Sequence, residues 1–258
     1  MKGYGQFCPI AKAAELFCEK WTALVIRNIS AGAHRFSDIH RGVPLMSATL
    51  LSKRLKHLEA EGIVTRRRAE RGKHWRYELT EAGAEFVPLV GQLAVWGRRW
   101  SRRELDEGEL DLGLLIWGLE YTVDPAAFGA GRTVVELCFT DQPRHKSRAW
   151  FVNEGAECTL CMTDPGFEID LYLAATLANM IHVYRGDIGL AAAIGSDRLE
   201  VIGDRRLAAR LKDWLNLGPL AEMPPARPAP AQDTKSGSLQ PIASVAEPIG
   251  ATTSKVTE

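Results

Sequence analysis

Apolar residues recur at helical spacing between Ser47 and Gly62, at Leu51, Leu55 and Leu58. This spacing places three leucines on one face and predicts an amphipathic helix. The Ser47 hydroxyl can accept a hydrogen bond from a free amide of the first turn, which favours a helix start there. Gly62 is suited to the backbone conformation that ends a helix, so the predicted helix stops just before it.

The other face of this helix carries hydroxyls and amines. It presents Thr49, Ser52, Lys53 and Lys56, with no carboxylate before Glu59. Such side chains reach base edges and phosphates when a helix lies in the major groove of DNA. An ordinary solvated face would show the same pattern, so the helix alone leaves both interpretations open.

Two short runs rich in β-branched and aromatic residues, Ile63–Arg68 and His74–Thr80, follow this helix. They flank a tight turn at 71–73 and predict a β-hairpin. The basic side chains of the hairpin are Arg66, Arg67, Arg68, Arg71, Lys73 and Arg76. Two helices followed by a basic hairpin are the order of a winged helix-turn-helix, which favours binding to double-stranded operator DNA. The predicted DNA-binding residues are Ser47, Thr49, Ser52, Lys53, Lys56, Arg66, Arg67, Arg68, Arg71 and Lys73.

Further helices are predicted on both sides of this region. Apolar periodicity indicates helices at Cys8–Phe17, Glu19–Ser30 and Phe36–Arg41, and a long one at Thr80–Arg103. The long helix has a wide apolar stripe made of Phe86, Leu89, Val90, Leu93, Trp96 and Trp100. One winged-helix unit cannot bury this stripe, so we predict a homodimer through Thr80–Arg103; packing on the second half of the same chain is the alternative. Pro88 is expected to kink the helix or to displace its start.

The second half of the chain changes to a period of two. A connecting helix is predicted at Glu104–Glu120 and antiparallel strands from Thr133 onward. The predicted strands are Thr133–Thr140, Arg148–Val152, Ala156–Thr163, Glu168–Ala174 and Leu199–Ile202. The predicted helices are Ala175–Tyr184, Ile188–Ile194 and Arg205–Leu215. The fold class is therefore α+β, with helices over a small antiparallel sheet.

Charge divides the chain into the same two halves. The chain of 258 residues has no formal net charge, but residues 1–103 carry a net charge of +10 and residues 104–258 a net charge of −10. The basic half is suited to a polyanion, which the acidic half repels. No apolar run reaches the length of a membrane span, and no secretion signal begins the chain, so we expect a cytoplasmic protein.

The end of the chain loses all periodicity. Seven of the 13 prolines lie between Pro219 and Pro248, and this composition predicts a disordered tail. The predicted division is a winged-helix domain over 1–103, a connector over 104–118, a ligand-binding domain over 119–217 and the tail over 218–258.

Catalytic and metal-binding patterns are weak. Cys158 and Cys161 form a lone C-x-x-C without a second pair or a nearby histidine, which disfavours zinc. On a strand the two thiols would also point to opposite faces. The sequence contains no phosphate-binding loop and no nucleophile motif. We therefore predict a protein that is not an enzyme and needs no metal or other cofactor, with a thiol enzyme at Cys158 and Cys161 as a weaker alternative.

The first hundred residues resemble the HxlR-type, MarR-like branch of bacterial winged-helix regulators. The motifs that carry the resemblance are Cys8-Pro-Ile, Lys20-Trp-Thr-Ala-Leu, Arg35-Phe-Ser-Asp-Ile, Leu51-Ser-Lys-Arg-Leu, Glu61-Gly-Ile-Val and Tyr77-Glu-Leu-Thr. The resemblance implies a dimeric transcription factor, repressor or activator, whose Ser47–Glu61 helix reads the groove and whose hairpin is the wing. It also implies that Cys8 is either a redox sensor or, as its surroundings in the sequence favour, an inert packed thiol.

Residues 119–217 resemble sterol-carrier-type lipid-binding domains. The resemblance is carried by Asp164-Pro-Gly-Phe-Glu-Ile-Asp-Leu-Tyr, Tyr184-Arg-Gly-Asp-Ile and Leu199-Glu-Val-Ile-Gly. It implies a cavity for a fatty or sterol-like molecule, lined by Phe139, Trp150, Leu160, Leu173, Leu177, Ile181, Tyr184 and Leu190. The predicted function is a DNA-binding regulator modulated by a hydrophobic small molecule. The alternative is a lipid carrier whose winged helix serves only for dimerisation.

Overall fold

The structure is a computed structural model that describes residues 3–69, 74–101, 105–224 and 226. Its N-terminal part follows the order of a winged helix. The elements are α1 (Pro9–Phe17), α2 (Thr22–Ser30), α3 (Phe36–Arg41), α4 (Ala48–Ala60), β1 (Val64–Arg68), β2 (Trp75–Leu79) and α5 (Glu81–Trp100). The second helix is predicted to begin at Glu19 but begins at Thr22, because Trp21 adopts a left-handed backbone with φ 81° just before α2.

Both ends of α4 are fixed by local hydrogen bonds. The Ser47 hydroxyl accepts from the amide of Leu50 at 3.2 Å, as predicted. At the other end, Gly62 has a positive φ of 71°. The amide of Ile63 then donates to the carbonyl of Leu58 at 2.9 Å and the amide of Gly62 to that of Glu59 at 3.2 Å. This is the Schellman arrangement, which satisfies carbonyls that the helix end leaves free.

The buried face of α4 organises the N-terminal core. Leu51, Leu55 and Leu58 are fully buried and pack with Val25, Ile26 and other apolar residues of the N-terminal helices. Phe86 of α5 joins this core and stacks on Phe17 of α1. The helix α5 runs through Pro88 without a break and starts after its cap Thr80. The expected displacement of its start by Pro88 is therefore corrected.

The C-terminal part consists of a mixed sheet and helices around it. Its elements are α6 (Leu112–Thr122), β3 (Arg132–Phe139), β4 (Arg148–Glu154), β5 (Glu157–Cys161), β6 (Leu171–Ala175), α7 (Leu177–Tyr184), α8 (Leu190–Gly195), β7 (Glu200–Gly203), α9 (Arg205–Ala209), α10 (Leu211–Leu215) and α11 (Pro219–Glu222). Short 3-10 turns lie at Glu107–Glu109 and Pro125–Phe128. Strands pair in the order β5-β4-β3-β6-β7.

The prediction of an antiparallel sheet is corrected at one pairing. β3 and β6 run parallel, with Val135 beside Leu171 and Phe139 beside Ala175. The hairpins β3–β4 and β4–β5 are antiparallel, because short turns reverse the chain. The connection from β5 to β6 instead returns across the sheet and places β6 on the far side of β3. Val135 and Leu137 are fully buried at this central position, as expected for a strand with partners on both sides.

Several predicted helices of the C-terminal part differ from the structure in their bounds. The connecting helix α6 begins at Leu112 rather than Glu104, because the Asp111 side chain accepts from the amide of Leu114 and sets its start. The predicted closing helix 205–215 divides into α9 and α10 at Arg210. The helix after β6 begins at Leu177, since Thr176 caps it. Trp214 of α10 is fully buried against Phe128 and Phe151.

Arg98 ties α5 to the C-terminal part. Its guanidinium donates to Asp187 Oδ1 at 2.6 Å and to the carbonyls of Gly186 at 2.7 Å and Met223 at 3.2 Å. The side chains of Arg98 and Asp187 are each only 9% exposed. Asp187 also contacts Arg185 Nε at 3.2 Å. The two halves of the chain accordingly pack within one unit, Met1–Pro228.

The start of the predicted disordered tail is ordered. The helix α11 follows α10 within this segment. Just after it, the carbonyl of Met223 accepts from Arg98, and the amide of Ala226 donates to the carbonyl of Arg99 at 3.1 Å. The structure therefore differs from the predicted tail 218–258 at its beginning, because this segment has polar partners on α5. Residues 227–258, which carry the rest of that prediction, lie outside the described residues. In the described part of the chain, no helix has the length and apolar character needed to cross a membrane.

Candidate nucleic-acid interface

The outward face of α4 presents the polar side chains that the sequence predicted. Thr49, Lys53 and Lys56 are exposed and Ser52 is half-buried. Neither lysine forms an ion pair with a carboxylate of the described residues. Two uncompensated ammonium groups and two hydroxyls therefore project from one helix whose opposite face is locked in the core, a surface suited to phosphates and base edges.

Arg54 holds α4 in place from the side, a role that the sequence pattern does not indicate. It is 5% exposed, forms an ion pair with Glu19 and donates to the carbonyl of Lys20 at 3.4 Å. Burial lowers the pKa of its guanidinium. In the sequence Arg54 lies between Lys53 and Leu55 in a largely polar run. Only its position on the helix, beside the buried leucines, could have indicated that it is buried.

The wing divides its arginines between two faces. In a strand alternate residues point to opposite sides. Arg66 and Arg68 lie over the Trp75 ring, 4.5 and 5.7 Å from its centroid. Arg67 instead lies 3.9 Å from Glu78. Exposed ion pairs of this kind contribute little stability, about 0–1 kcal/mol, so a phosphate can replace the carboxylate at low cost.

The prediction from sequence places these three arginines in one DNA-binding group. It does not take into account that side chains alternate between the two sides of a strand. The structure brings Arg66 and Arg68 together on one side with Trp75 and sets Arg67 on the other. Arg71 and Lys73, the predicted tip of the wing, lie outside the described residues. The DNA-binding assignment of individual side chains stays a prediction.

The apolar stripe of α5 is only partly covered. Phe86 and Val90 pack into the N-terminal core. Leu89, Leu93, Trp96 and Trp100 remain 44–62% exposed. These four residues follow one another at intervals of three or four, so they form a continuous face on one side of the helix. We call this set the open face of α5.

The residues predicted to line a lipid cavity separate into two groups. Phe139, Leu173 and Leu177 are among the most buried residues of the C-terminal core, and Leu160 and Leu190 pack against it. Trp150 is buried and its indole donates to Glu136 at 3.3 Å. Ile181 and Tyr184 also belong to or pack against this core, but in addition they line a cleft between α7 and the N-terminal part. The proposed lipid-binding role of these residues stays a prediction.

Cys158 of the C-x-x-C pair is a thiol that ionises poorly. Cys158 and Cys161 lie on β5, and burial, with the neighbouring Cys161, raises the pKa of Cys158 to about 12. Such a thiol holds little thiolate at neutral pH. Among the described residues, no group of histidine, cysteine or acidic side chains is arranged to hold a metal ion.

Comparison with known proteins gives a match over the N-terminal part. Residues 16–105 match the family model described as HxlR-like helix-turn-helix. The matched range contains α2 to α5. It therefore includes α4, both strands of the wing and the open face of α5.

Two curated relatives and one solved structure are similar to the chain. An uncharacterised HTH-type transcriptional regulator of Bacillus subtilis (strain 168), YvaP, is 35% identical over 97 residues, which is 37% of this chain and 90% of the relative. The HTH-type transcriptional regulator sll1512 of Synechocystis sp. is 32% identical over 110 residues, 42% of this chain and 82% of the relative. The reduced form of the regulator YodB from B. subtilis is 30% identical over 36% of this chain and 92% of that chain, with a TM-score of 0.32.

Proposed function

This chain belongs to the HxlR-like helix-turn-helix family, whose relatives are named as transcriptional regulators, and we propose that it binds operator DNA in the bacterial cytoplasm. The observation that carries the proposal is the outward face of α4. Its lysines lack carboxylate partners among the described residues, and its opposite face is buried in the core. In the proposed complex α4 lies in the major groove and the wing arginines contact the flanking phosphates.

The open face of α5 supports the proposal of a homodimer. On the solvent-exposed surface of a protein, four large apolar side chains rarely form a continuous row unless a partner covers them. The same surface on a second copy, related by a two-fold axis, would cover them. Two α4 helices in such a dimer would read half-sites about 34–36 Å apart.

We propose further that the C-terminal part, whose sequence motifs resemble those of sterol-carrier-type domains, holds a hydrophobic small molecule that modulates DNA binding. The support is its packing: α6 contacts α3, the helix that precedes the turn to α4, and Arg98 joins α5 to the loop after α7. A ligand changes the affinity for DNA only through unequal binding to the DNA-competent and incompetent states. Contacts between the two halves of the chain are where a bound ligand would favour one of these two states over the other.

The DNA-binding proposal is tested through its salt dependence. Each lysine–phosphate contact contributes about 0.9 to the slope of the logarithm of the association constant against the logarithm of salt concentration. We expect Lys56→Gln to weaken binding to all duplexes and to reduce this slope by about that amount. Fluorescence anisotropy of labelled duplex DNA, titrated with the full chain at several salt concentrations, measures both quantities.

Lys146→Gln is the matched control for this experiment. Lys146 is also an exposed lysine, but it lies in the connection between β3 and β4, outside the proposed interface. Its replacement should leave the slope unchanged. An equal reduction in the two variants, or no binding of the wild type to any duplex at low salt, would contradict the proposal.

A further inference from the structure

A cleft lies between the winged helix and the C-terminal part. Its volume is about 410 Å³, within the range of pockets that hold small molecules. Leu24 and Leu45 line it from the N-terminal side, and Leu114, Ile181 and Tyr184 line it from the C-terminal side. Neither half forms it alone, so a molecule in the cleft would touch both.

Apolar side chains exposed to solvent mark the N-terminal wall. Leu45 is 76% exposed and Leu24 is 38% exposed. Trp21, at the start of the same wall, holds the left-handed backbone described above, a conformation that is uncommon for a bulky residue and recurs at binding sites. An apolar ligand body would cover these side chains.

Arg27 supplies a cation at this apolar cleft. Its guanidinium donates to Asn28 Oδ1 at 2.8 and 2.9 Å and to the carbonyl of Gly42 at 2.9 Å, and it stacks on Trp117. All of these partners are neutral. No carboxylate of the described residues forms an ion pair with Arg27, and burial lowers its pKa. A partly buried cation with neutral partners is stabilised when an anion approaches it.

The other charged groups of the cleft are already engaged. Asp111 accepts from the amide of Leu114 at 2.8 Å and Glu109 from the amide of Asp106 at 2.9 Å, so both carboxylates cap backbone amides. Arg185 lies 3.2 Å from Asp187. Arg27 is therefore the cation of the cleft that a ligand would meet without first displacing a carboxylate of the described residues.

Gly42 connects this cleft to the DNA-reading helix. Its carbonyl accepts from Arg27, and a Cβ at this position would lie 2.8 Å from the Trp117 ring of α6. Backbone and ring are thus in close contact, with room only for glycine. The turn that begins at Gly42 ends at Ser47, the cap of α4. A ligand that shifts Arg27 or spreads the cleft would act on this turn.

We propose that this cleft is the effector site and that it binds an amphipathic monoanion whose carboxylate pairs with Arg27 and whose apolar body lies between Leu45 and Ile181. The proposal rests on the proposed DNA-binding function, since it makes the cleft the place where a ligand alters operator affinity. It places the ligand-binding site at the junction of the two halves rather than in the centre of the C-terminal core. A coupling of ordinary size changes operator affinity roughly 5- to 150-fold.

Calorimetric titration of the full chain with decanoate and with 1-decanol tests the ligand class. Hydrogen bonds to a charged group contribute more than those to a neutral one, so decanoate should bind at least about tenfold more tightly than decanol. Arg27→Leu should remove this preference. Leu45→Glu, which places a negative charge at an exposed position of the cleft, should weaken decanoate binding by at least a similar factor.

Ile202→Glu is the control, because Ile202 is also an exposed apolar residue but lies on β7 and does not line the cleft. It should bind decanoate as the wild type does. Equal binding of decanoate and decanol by the wild type, or undiminished decanoate binding by Leu45→Glu, would overturn the proposal even if Arg27→Leu failed to fold. Duplex DNA binding is measured on the same samples without decanoate. If the wild type binds DNA but shows no preference for decanoate, only the effector-site proposal fails. If the wild type binds no DNA, the proposed function fails.

Discussion

Leu93→Glu is expected to convert a dimer into monomers and to weaken binding to a two-half-site duplex by about 10²- to 10⁴-fold. Leu93 lies in the middle of the open face of α5 and is 57% exposed in the single chain. In the proposed dimer the new carboxylate would be buried without a partner, which costs several kcal/mol. Two separate monomers then lose the gain in affinity that comes from linking two binding units. Light scattering gives the mass, and anisotropy titration gives the affinity.

The control for this variant is again Ile202→Glu. Ile202 is 55% exposed, so the two substitutions place the same charge at positions of nearly equal exposure. We expect Ile202→Glu to keep both the wild-type mass and the wild-type affinity. A Leu93→Glu protein that remains a dimer of wild-type stability would place the interface elsewhere.

Arg98→Met is expected to destabilise the folded chain by roughly 3–5 kcal/mol, the usual cost of removing one partner of a buried ion pair. The substitution leaves the buried Asp187 carboxylate without its 2.6 Å partner and the carbonyls of Gly186 and Met223 without a donor. Arg185 and His182 still face Asp187, each at 3.2 Å, and they should keep the loss within this range. Urea denaturation of the full chain measures the change.

The neighbouring Arg99→Met separates the ion pair from the general effect of losing an arginine. Arg99 is exposed, and its guanidinium lies over the Trp100 ring. Contacts of exposed cations contribute about 0–1 kcal/mol, so this variant should stay close to the wild type. Equal destabilisation by the two substitutions would show that the buried pair does not join α5 to the C-terminal part.

Local patterns were sufficient to predict α4 and the wing but not their surroundings. Leucine spacing, the Ser47 cap and Gly62 lie within one short segment, and together they define α4 and its outward face. The positions of β1 and β2 follow likewise, to within one residue at each end, from their own residues and a turn. Each of these features depends on neighbours a few positions away, which a sequence shows directly.

Features that join distant residues could not be predicted in this way. The parallel pairing of β3 with β6 depends on where a long connection crosses the sheet. The Arg98–Asp187 pair joins residues 89 positions apart, and either residue alone reads as an exposed charge. The cleft at Arg27 exists only because two halves of the chain meet. Ile181 and Tyr184, which line this cleft, are predicted from the sequence to line a different cavity.

Selection of duplex DNA from a random library by the full chain tests the central claim most directly. We expect an enriched inverted repeat with half-site centres about 10–10.5 base pairs, or a multiple of this, apart. The combined variant Thr49→Ala, Ser52→Ala and Lys53→Ala changes only the outward face of α4, so it should fold normally and lose this enrichment. An enriched sequence that is the same for the variant and the wild type, or no enrichment by the wild type, would contradict the claim that α4 reads DNA.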